Sequence, residues 1–373
     1  MKTIYALFLA LGYLTAGAQT LKPSDPEATT FTRNLYNNIN NLRQHGYLFG
    51  HQDDLAYGMQ WKYQPKRSDV KETAGDYPAM YGWELSHIEL SDSVNIDTVP
   101  FKNIRRYVRE VYERGGVNTI SWHGTNPLTG KSAWDPTPGT VAAALPGGAK
   151  HEVYVQELDK VGDFLLSLKD KEGQPIPILF RPLHELTGGW FWWGSKSSTP
   201  NEVKQLFRFT VHYLKDIKHL HNLLYVFNTG TEFSSPAEYM ERYPGDDLVD
   251  FVSFDSYQRG EPDKSSAFAQ ELSRQITILE QVASEHHKIP ALAEVGYGHV
   301  PDPAWWTQVL AKAMSGHQLA YVLLWRNAGT KADHTTEYYV PYTGQASEAD
   351  FKSYYNLPQT YFNKEAEKMK LYK

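Results

Sequence analysis

The chain has 373 residues, a net charge of −6 and no cysteine. That excludes disulfides, a thiol nucleophile and cysteine metal sites, and no basic face for nucleic acid is implied. Aromatic residues make up 14% (10 Trp, 25 Tyr, 16 Phe), a supply useful for binding as well as for packing.

Residues 1–18 are expected to be an export leader. Lys2 gives a short positive start, Ile4 to Leu14 is apolar, and Ala16-Gly17-Ala18 has the small-x-small pattern of a cleavage site. That apolar run is too short to span a bilayer. Export without cysteine suits a bacterial periplasmic or secreted protein. The remainder, 19–373, is expected to form one catalytic domain.

Helical spacing of Phe31, Leu35, Ile39 and Leu42 predicts a helix over 25–44. Tyr47 to Gly50 is a short strand that runs into His51-Gln52-Asp53-Asp54. Residues 60–75 are polar and read as a loop or irregular helix. A second strand, Ala79 to Trp83, ends at Glu84, and a helix follows from Phe101 to Arg114, stopped by Gly115-Gly116. Val117 to Trp122 is a third strand, ending at His123. The segment 124–150, rich in Pro and Gly, is a long loop suited to shaping a cleft. After a helix over 153–169 comes a fourth strand, Pro177 to Phe180. Thr199 is a candidate N-cap for a helix over 200–218. Strands five to eight are Leu223–Phe227, Val249–Phe254, Pro290–Ala293 and Leu319–Leu324, with helices over 268–286 and 304–314 between the later ones. A largely helical tail occupies 346–373.

Eight strands alternating with helices imply parallel pairing and an α/β fold closed as a (β/α)8 TIM barrel. An open doubly wound sheet is the competing arrangement, but no G-x-G-x-x-G or phosphate-binding loop follows any strand. In such a barrel functional residues gather at the C-terminal strand ends. Those ends carry His51 and Asp53, Glu84, His123, His184 and Glu185, Asn228, Asp255 and Tyr257, Glu294, and Trp325 with Arg326. The stretch 177–194 is the most telling. An apolar strand delivers Arg181, His184 and Glu185 beside Trp190, Phe191, Trp192 and Trp193. Apolar walls raise a carboxyl pKa, and two glutamates on nearly opposite strands suit the cleavage of one glycosidic bond. The competing reading of this stretch alone is a structural Arg181–Glu185 ion pair beside core tryptophans.

Arg-Pro-Leu-His-Glu (181–185) followed by Trp-Phe-Trp-Trp-Gly (190–194) resembles the acid/base motif of glycoside hydrolase family 26, the β-mannanases. Gly50–Asp54, Ser121–His123, Phe254–Tyr257, Ala293–Gly296 and Trp325–Ala328 fall where that family has its other blocks, so the likeness runs from about residue 30 to 370. The resemblance implies a retaining enzyme that needs no cofactor, with Glu185 as acid/base and Glu294 as nucleophile. It further implies that His184 holds the sugar or the carboxylates, that Tyr257 hydrogen-bonds Glu294, and that His123, Trp190, Trp325 and Arg326 line subsites beside the cleavage point. Glu84 departs from the shorter aspartate expected there, which touches contacts in distal subsites. Arg181 is expected to stand behind the glutamates. Trp192 and Trp193 alternate in direction, so at least one packs, and Trp193 is expected to be nearer the substrate. His51 and Asp53 are open between substrate contact and scaffolding.

The implied partner is β-mannan or a manno-oligosaccharide, with neither nucleic acid nor membrane bound, and a monomer is expected. Glu285-His286-His287 lies at a helix end, where solvated histidines are ordinary, and no H-E-x-x-H motif is present, so no metal is expected. The same family holds enzymes acting on β-1,3-xylan or mixed-linkage glucan, and exo-acting mannobiose-releasing forms. A glycan-binding protein without activity is the alternative of a different class.

Overall fold

A computed structural model describes residues 21–331 and 334–373; the leader expected at 1–18 lies outside them. Eight parallel strands form the barrel: β1 (Tyr47–Gln52), β2 (Met80–Glu84), β3 (Val117–Ser121), β4 (Ile178–Arg181), β5 (Leu223–Thr229), β6 (Phe251–Gln258), β7 (Ile289–Tyr297) and β8 (Tyr321–Leu324). Each pairs with the next in sequence, and β8 pairs with β1 to close the ring. Parallel neighbours need a crossover, and helical segments supply it. The long ones are α2 (Phe101–Glu113) after β2, α3 (His151–Leu166) after β3, α4 (Pro200–His212) after β4 and α5 (Ser265–Glu285) after β6, while α1 (Thr30–Leu42) precedes β1. No described helix is long and apolar enough to cross a membrane.

Alternating side chains on every strand divide the core into two shells. An inner cluster draws from all eight strands, including Leu48, Met80, Val117, Leu179, Leu224, Phe251, Ala291 and Leu323, and α1 adds Leu35, Tyr36 and Ile39. The apolar face of α1 thus closes the interior on one side, with Tyr36 packed edge-on against Phe251. The outer shell lies between strands and helices. Helix α4 begins as its sequence dictates: Thr199 accepts from the Glu202 amide, the Glu202 carboxylate accepts from the Thr199 amide, and Pro200 takes the first turn.

Several boundaries differ from the sequence reading. Residues 60–75 hold half of a small hairpin (Tyr57–Gly58 with Trp61–Lys62) and a helix, Asp69–Ala74. The 124–150 loop contains a helical turn, Thr140–Ala144. The helix over 200–218 finishes as a π-helical turn, Tyr213–Ile217. Most consequentially, β6 and β7 run past their apolar cores to Gln258 and Tyr297, so Asp255, Tyr257 and Glu294 sit on strands rather than after them.

Candidate active site

At the C-terminal end of β4 the chain leaves the strand through Pro182, with Leu183 and Glu185 both in the left-handed region (φ 52° and 50°). Such conformations cost energy for side-chain-bearing residues and persist where surroundings enforce them. Here Asn228, at the end of β5, does so: its Oδ1 accepts from the Glu185 amide (3.0 Å) and from Arg181 Nη1 (3.0 Å). Its Nδ2 donates to Ser253 Oγ (3.0 Å) and Asp255 Oδ1 (2.8 Å), tying three strands together.

Glu294 comes from β7 through a bulge. Against β6, Phe254 pairs with Leu292 and Asp255 with Glu294, so Ala293 is one residue extra; the register with β8 shifts at the same place. A bulge re-aims the side chain that follows it. The Glu294 carboxylate accepts from Tyr257 Oη (2.5 Å) and from Arg181 Nη2, while Arg181 Nη1 also donates to Asp255 Oδ2 (2.8 Å). One oxygen each from Glu185, Asp255 and Glu294 lie within 4.8 Å of one another. The Arg181 guanidinium supplies the positive charge for this acidic trio. Burial works against that charge, but Asp255 and Glu294 outweigh it and hold the Arg181 pKa above its ordinary value.

The two glutamates differ in surroundings. The Glu185 carboxyl is pushed up to about 7, first by burial and then by the charge of Glu294. Opposing this, Trp190 Nε1 donates to Glu185 Oε2 (2.7 Å). Glu294 instead has a cation and a phenol on its two oxygens. Burial, and then the Glu294 charge, drives the Tyr257 pKa well up, so the phenol keeps its proton and donates.

The remaining expected residues separate into those that face the recess and those that stand behind it. His123, His184, Trp190, Tyr257 and Trp325 line a recess of about 210 Å³ together with both glutamates. His184 does not bond either carboxylate: its Nε2 meets His123 Nε2 at 2.9 Å. Burial, and then His123 and Arg181, push His184 well below the ordinary histidine pKa, so its ring is neutral. His123 Nδ1 in turn meets Glu84 Oε2 at 2.7 Å. Glu84 is no subsite contact. It is buried and also accepts from the Ser86 amide and hydroxyl, Ser121 Oγ and the His123 amide. Its pKa falls to about 2; burial raises it, and the His123 charge and these hydrogen bonds outweigh that rise.

Neither Trp192 nor Trp193 lines the recess, but Trp193 is the nearer, packed directly behind His184 and Phe191. It and Trp192 are both buried, Trp193 Nε1 donates to the His184 carbonyl (2.7 Å) and its ring stacks on Phe191. The segment turns instead of running extended, so alternation does not apply. Arg326 lies outside the recess lining. It is paired with Asp97 and, through Nε at 2.8 Å, with Glu337, which also holds Lys331. His51 and Asp53 are scaffold: His51 Nδ1 meets Asp54 (2.8 Å), Tyr57 Oη donates to Asp53 (2.6 Å), and both residues are buried. His286 pairs with Asp246 at the end of α5.

Three lining residues were not singled out from the sequence: Trp134, Arg259 and Tyr339. Trp134, 47% exposed, stacks parallel on His123 (4.9 Å, 12°), an open apolar face from the 124–150 loop. Tyr339 packs over Gly296, where an added Cβ would meet its ring at 2.4 Å. That glycine, two residues after Glu294, was the available signal for a close approach.

Residues 24–334 match the sequence model of glycosyl hydrolase family 26. A mannan endo-1,4-beta-mannosidase of Bifidobacterium adolescentis is 32% identical over 355 residues, 91% of this chain and 35% of its own length. One from Thermothelomyces thermophilus is 29% identical over 291 residues, 75% of this chain and 53% of its own. The chain thus spans about a third to a half of the length of these curated relatives. The solved structure of a GH26 beta-mannanase from Bacteroides ovatus, 42% identical, superposes with a TM-score of 0.85 over 90% of this chain and 95% of that one.

Proposed function

The chain belongs to glycosyl hydrolase family 26, and on that premise we propose that it is a retaining endo-acting glycoside hydrolase of β-1,4-mannosidic bonds in mannan, galactomannan or manno-oligosaccharides. The observation that carries the mechanism is the close approach of Glu185 and Glu294, within 4.8 Å between oxygens, in unlike surroundings. Retaining pairs stand about 5–5.5 Å apart, whereas inverting pairs leave about 6.5–9.5 Å for a water.

Glu185, protonated near neutrality, donates its proton to the glycosidic oxygen as the bond to the anomeric carbon breaks. Glu294, oriented by Tyr257 and Arg181, attacks that carbon and forms a glycosyl ester. Glu185, now ionised, takes a proton from water; the water oxygen attacks the anomeric carbon, and Glu294 leaves. Arg181 acts by holding Glu294 and Asp255 in place. Trp134 and Trp325 offer apolar surface to sugar C–H faces, and His184, kept neutral by burial and then by His123 and Arg181, is a fixed wall of the recess. Export, proposed from the leader-like residues 1–18, places this activity in the periplasm or the medium.

A timed product profile on linear mannan and mannohexaose, with NMR of the first-formed anomer, tests this. The expected result is a spread of products with β configuration. Glu185→Ala should lose about 10²- to 10⁴-fold in kcat on these substrates, and Glu294→Ala should leave no ester-forming turnover. α-Anomer as the first product would overturn the mechanism; no cleavage by folded protein would overturn the function.

A further inference from the structure

A second recess, of about 380 Å³, adjoins the first along Glu185, Trp190, Tyr257 and Arg259. Its walls include Glu185, Trp190, Glu232, Tyr257 and Arg259, but not Glu294. If the double displacement holds, geometry divides the substrate between the two. The anomeric carbon must reach Glu294, while the oxygen that departs must reach Glu185. The recess that has the acid without the nucleophile is therefore the one for the leaving group.

Besides Glu185, Tyr257 and the buried Asp255, it holds two opposite charges, Glu232 and Arg259, that are not paired with each other. Glu232 Oε2 accepts from Thr187 Oγ1 (2.8 Å), and that hydroxyl oxygen accepts from the Gly230 amide (2.9 Å). These contacts join the loops after β4 and β5 and fix the carboxylate. The carboxylate lies so close over Gly230 that a Cβ there would meet Oε2 at 2.3 Å. Arg259 rests over the Tyr257 ring at 5.5 Å and makes no ion pair or hydrogen bond among the described residues. Trp190, 39% exposed, adds an apolar face beside them.

We propose that Glu232 and Arg259 grip the first sugar of the leaving group and so determine which glycosides this enzyme cleaves fast. A neutral sugar is the ligand that suits both. Its hydroxyls donate to the carboxylate and accept from the guanidinium, and its C–H face covers the indole. An anionic sugar would meet Glu232, and a cationic one Arg259. The inference rests on the hydrolase reading above.

The test compares mannotetraose with 4-nitrophenyl β-mannobioside, whose aromatic leaving group offers no hydroxyls to grip. For Glu232→Ala, kcat/KM on mannotetraose should fall about tenfold or more, with the aryl glycoside unaffected; for Arg259→Ala, which also lines the first recess, the loss on mannotetraose should exceed the loss on the aryl glycoside by about tenfold. Glu232→Gln and Arg259→Lys should recover part of the loss. Equal losses on both substrates would make the residues merely structural and overturn the inference, as would no loss on mannotetraose. Wild-type protein that cleaves neither compound would overturn the hydrolase reading and this one together; wild-type that cleaves both while the variants stay unaffected overturns this one alone.

Discussion

Trp190 has two duties for Glu185 that pull in opposite directions. Its ring helps exclude water, which favours the protonated acid, while its N–H donates to the carboxylate at 2.7 Å, which favours the ion. Phenylalanine would keep the wall and remove the donor. Glu185 would then hold its proton to higher pH, and the alkaline limb of kcat/KM, set near the pKa of about 7, should move upward in Trp190→Phe. A pH–rate profile on an oligosaccharide reads this directly; a limb that moves down would mean that the indole acts mainly through desolvation. That Glu185 and Glu294 meet at one recess was legible from their motifs. The partners of His184 and Arg326 were not. His123 is 61 residues from His184, and Asp97 is 229 from Arg326, so neither pairing leaves a local trace.

The loop after β4 shows how an element fixes a residue. Gly194 closes it: its amide donates to the Phe191 carbonyl (2.9 Å), and Ser195 donates to the Gly188 carbonyl (2.8 Å). A Cβ on Gly194 would meet the Gly188 oxygen at 2.2 Å, backbone that cannot swing aside. Gly194→Ala should therefore cost about 1–3 kcal/mol, read as a lower Tm. It should also reduce kcat by displacing Trp190 and Phe191, although it touches no reacting atom. Elements were legible where apolar runs or caps announced them, as with Thr199. They were not legible where polar functional residues lie on strands: Asp255, Tyr257 and Glu294 broke the hydrophobic pattern, and only the neighbouring strands' hydrogen bonds carry β6 and β7 that far.

At the scale of the molecule, the barrel was legible because eight apolar runs alternate with helical periods, and closure follows from their number. What that count does not give is the depth at which polar groups lie. Glu157, on α3, is buried with one carboxyl oxygen unpartnered; burial, and then the nearby Glu89, raise its pKa from 4.5 to about 8. Asp250, just before β6, is raised by burial to about 6 despite amides from Ser24 and Tyr225. Both folded values lie above the unfolded ones. The stability they contribute is full below the ordinary carboxyl range and is lost as pH rises through about 6 and about 8. The Tm of wild type should thus drop relative to Glu157→Gln between pH 5 and pH 9, as differential scanning calorimetry would report. A constant gap across that range would place the Glu157 titration elsewhere.

The extra residue in β7 makes the proposed chemistry depend on a parity. Side chains on a strand alternate faces, so a residue's duty is set by whether an even or odd number of positions separates it from the core below. The bulge resets that count: were Ala293 opposite Asp255, Glu294 would face the outer shell, whereas Leu292 and Val295 face outward and Ala293 and Glu294 share the interior side. Ala293→Gly should therefore leave turnover largely intact. Deleting Ala293 leaves Glu294 opposite Asp255 and on the interior face, so the shortened strand should retain turnover, as circular dichroism beside an activity assay would record; a folded but inactive deletion would show that the bulge aims the carboxylate as well as choosing its face.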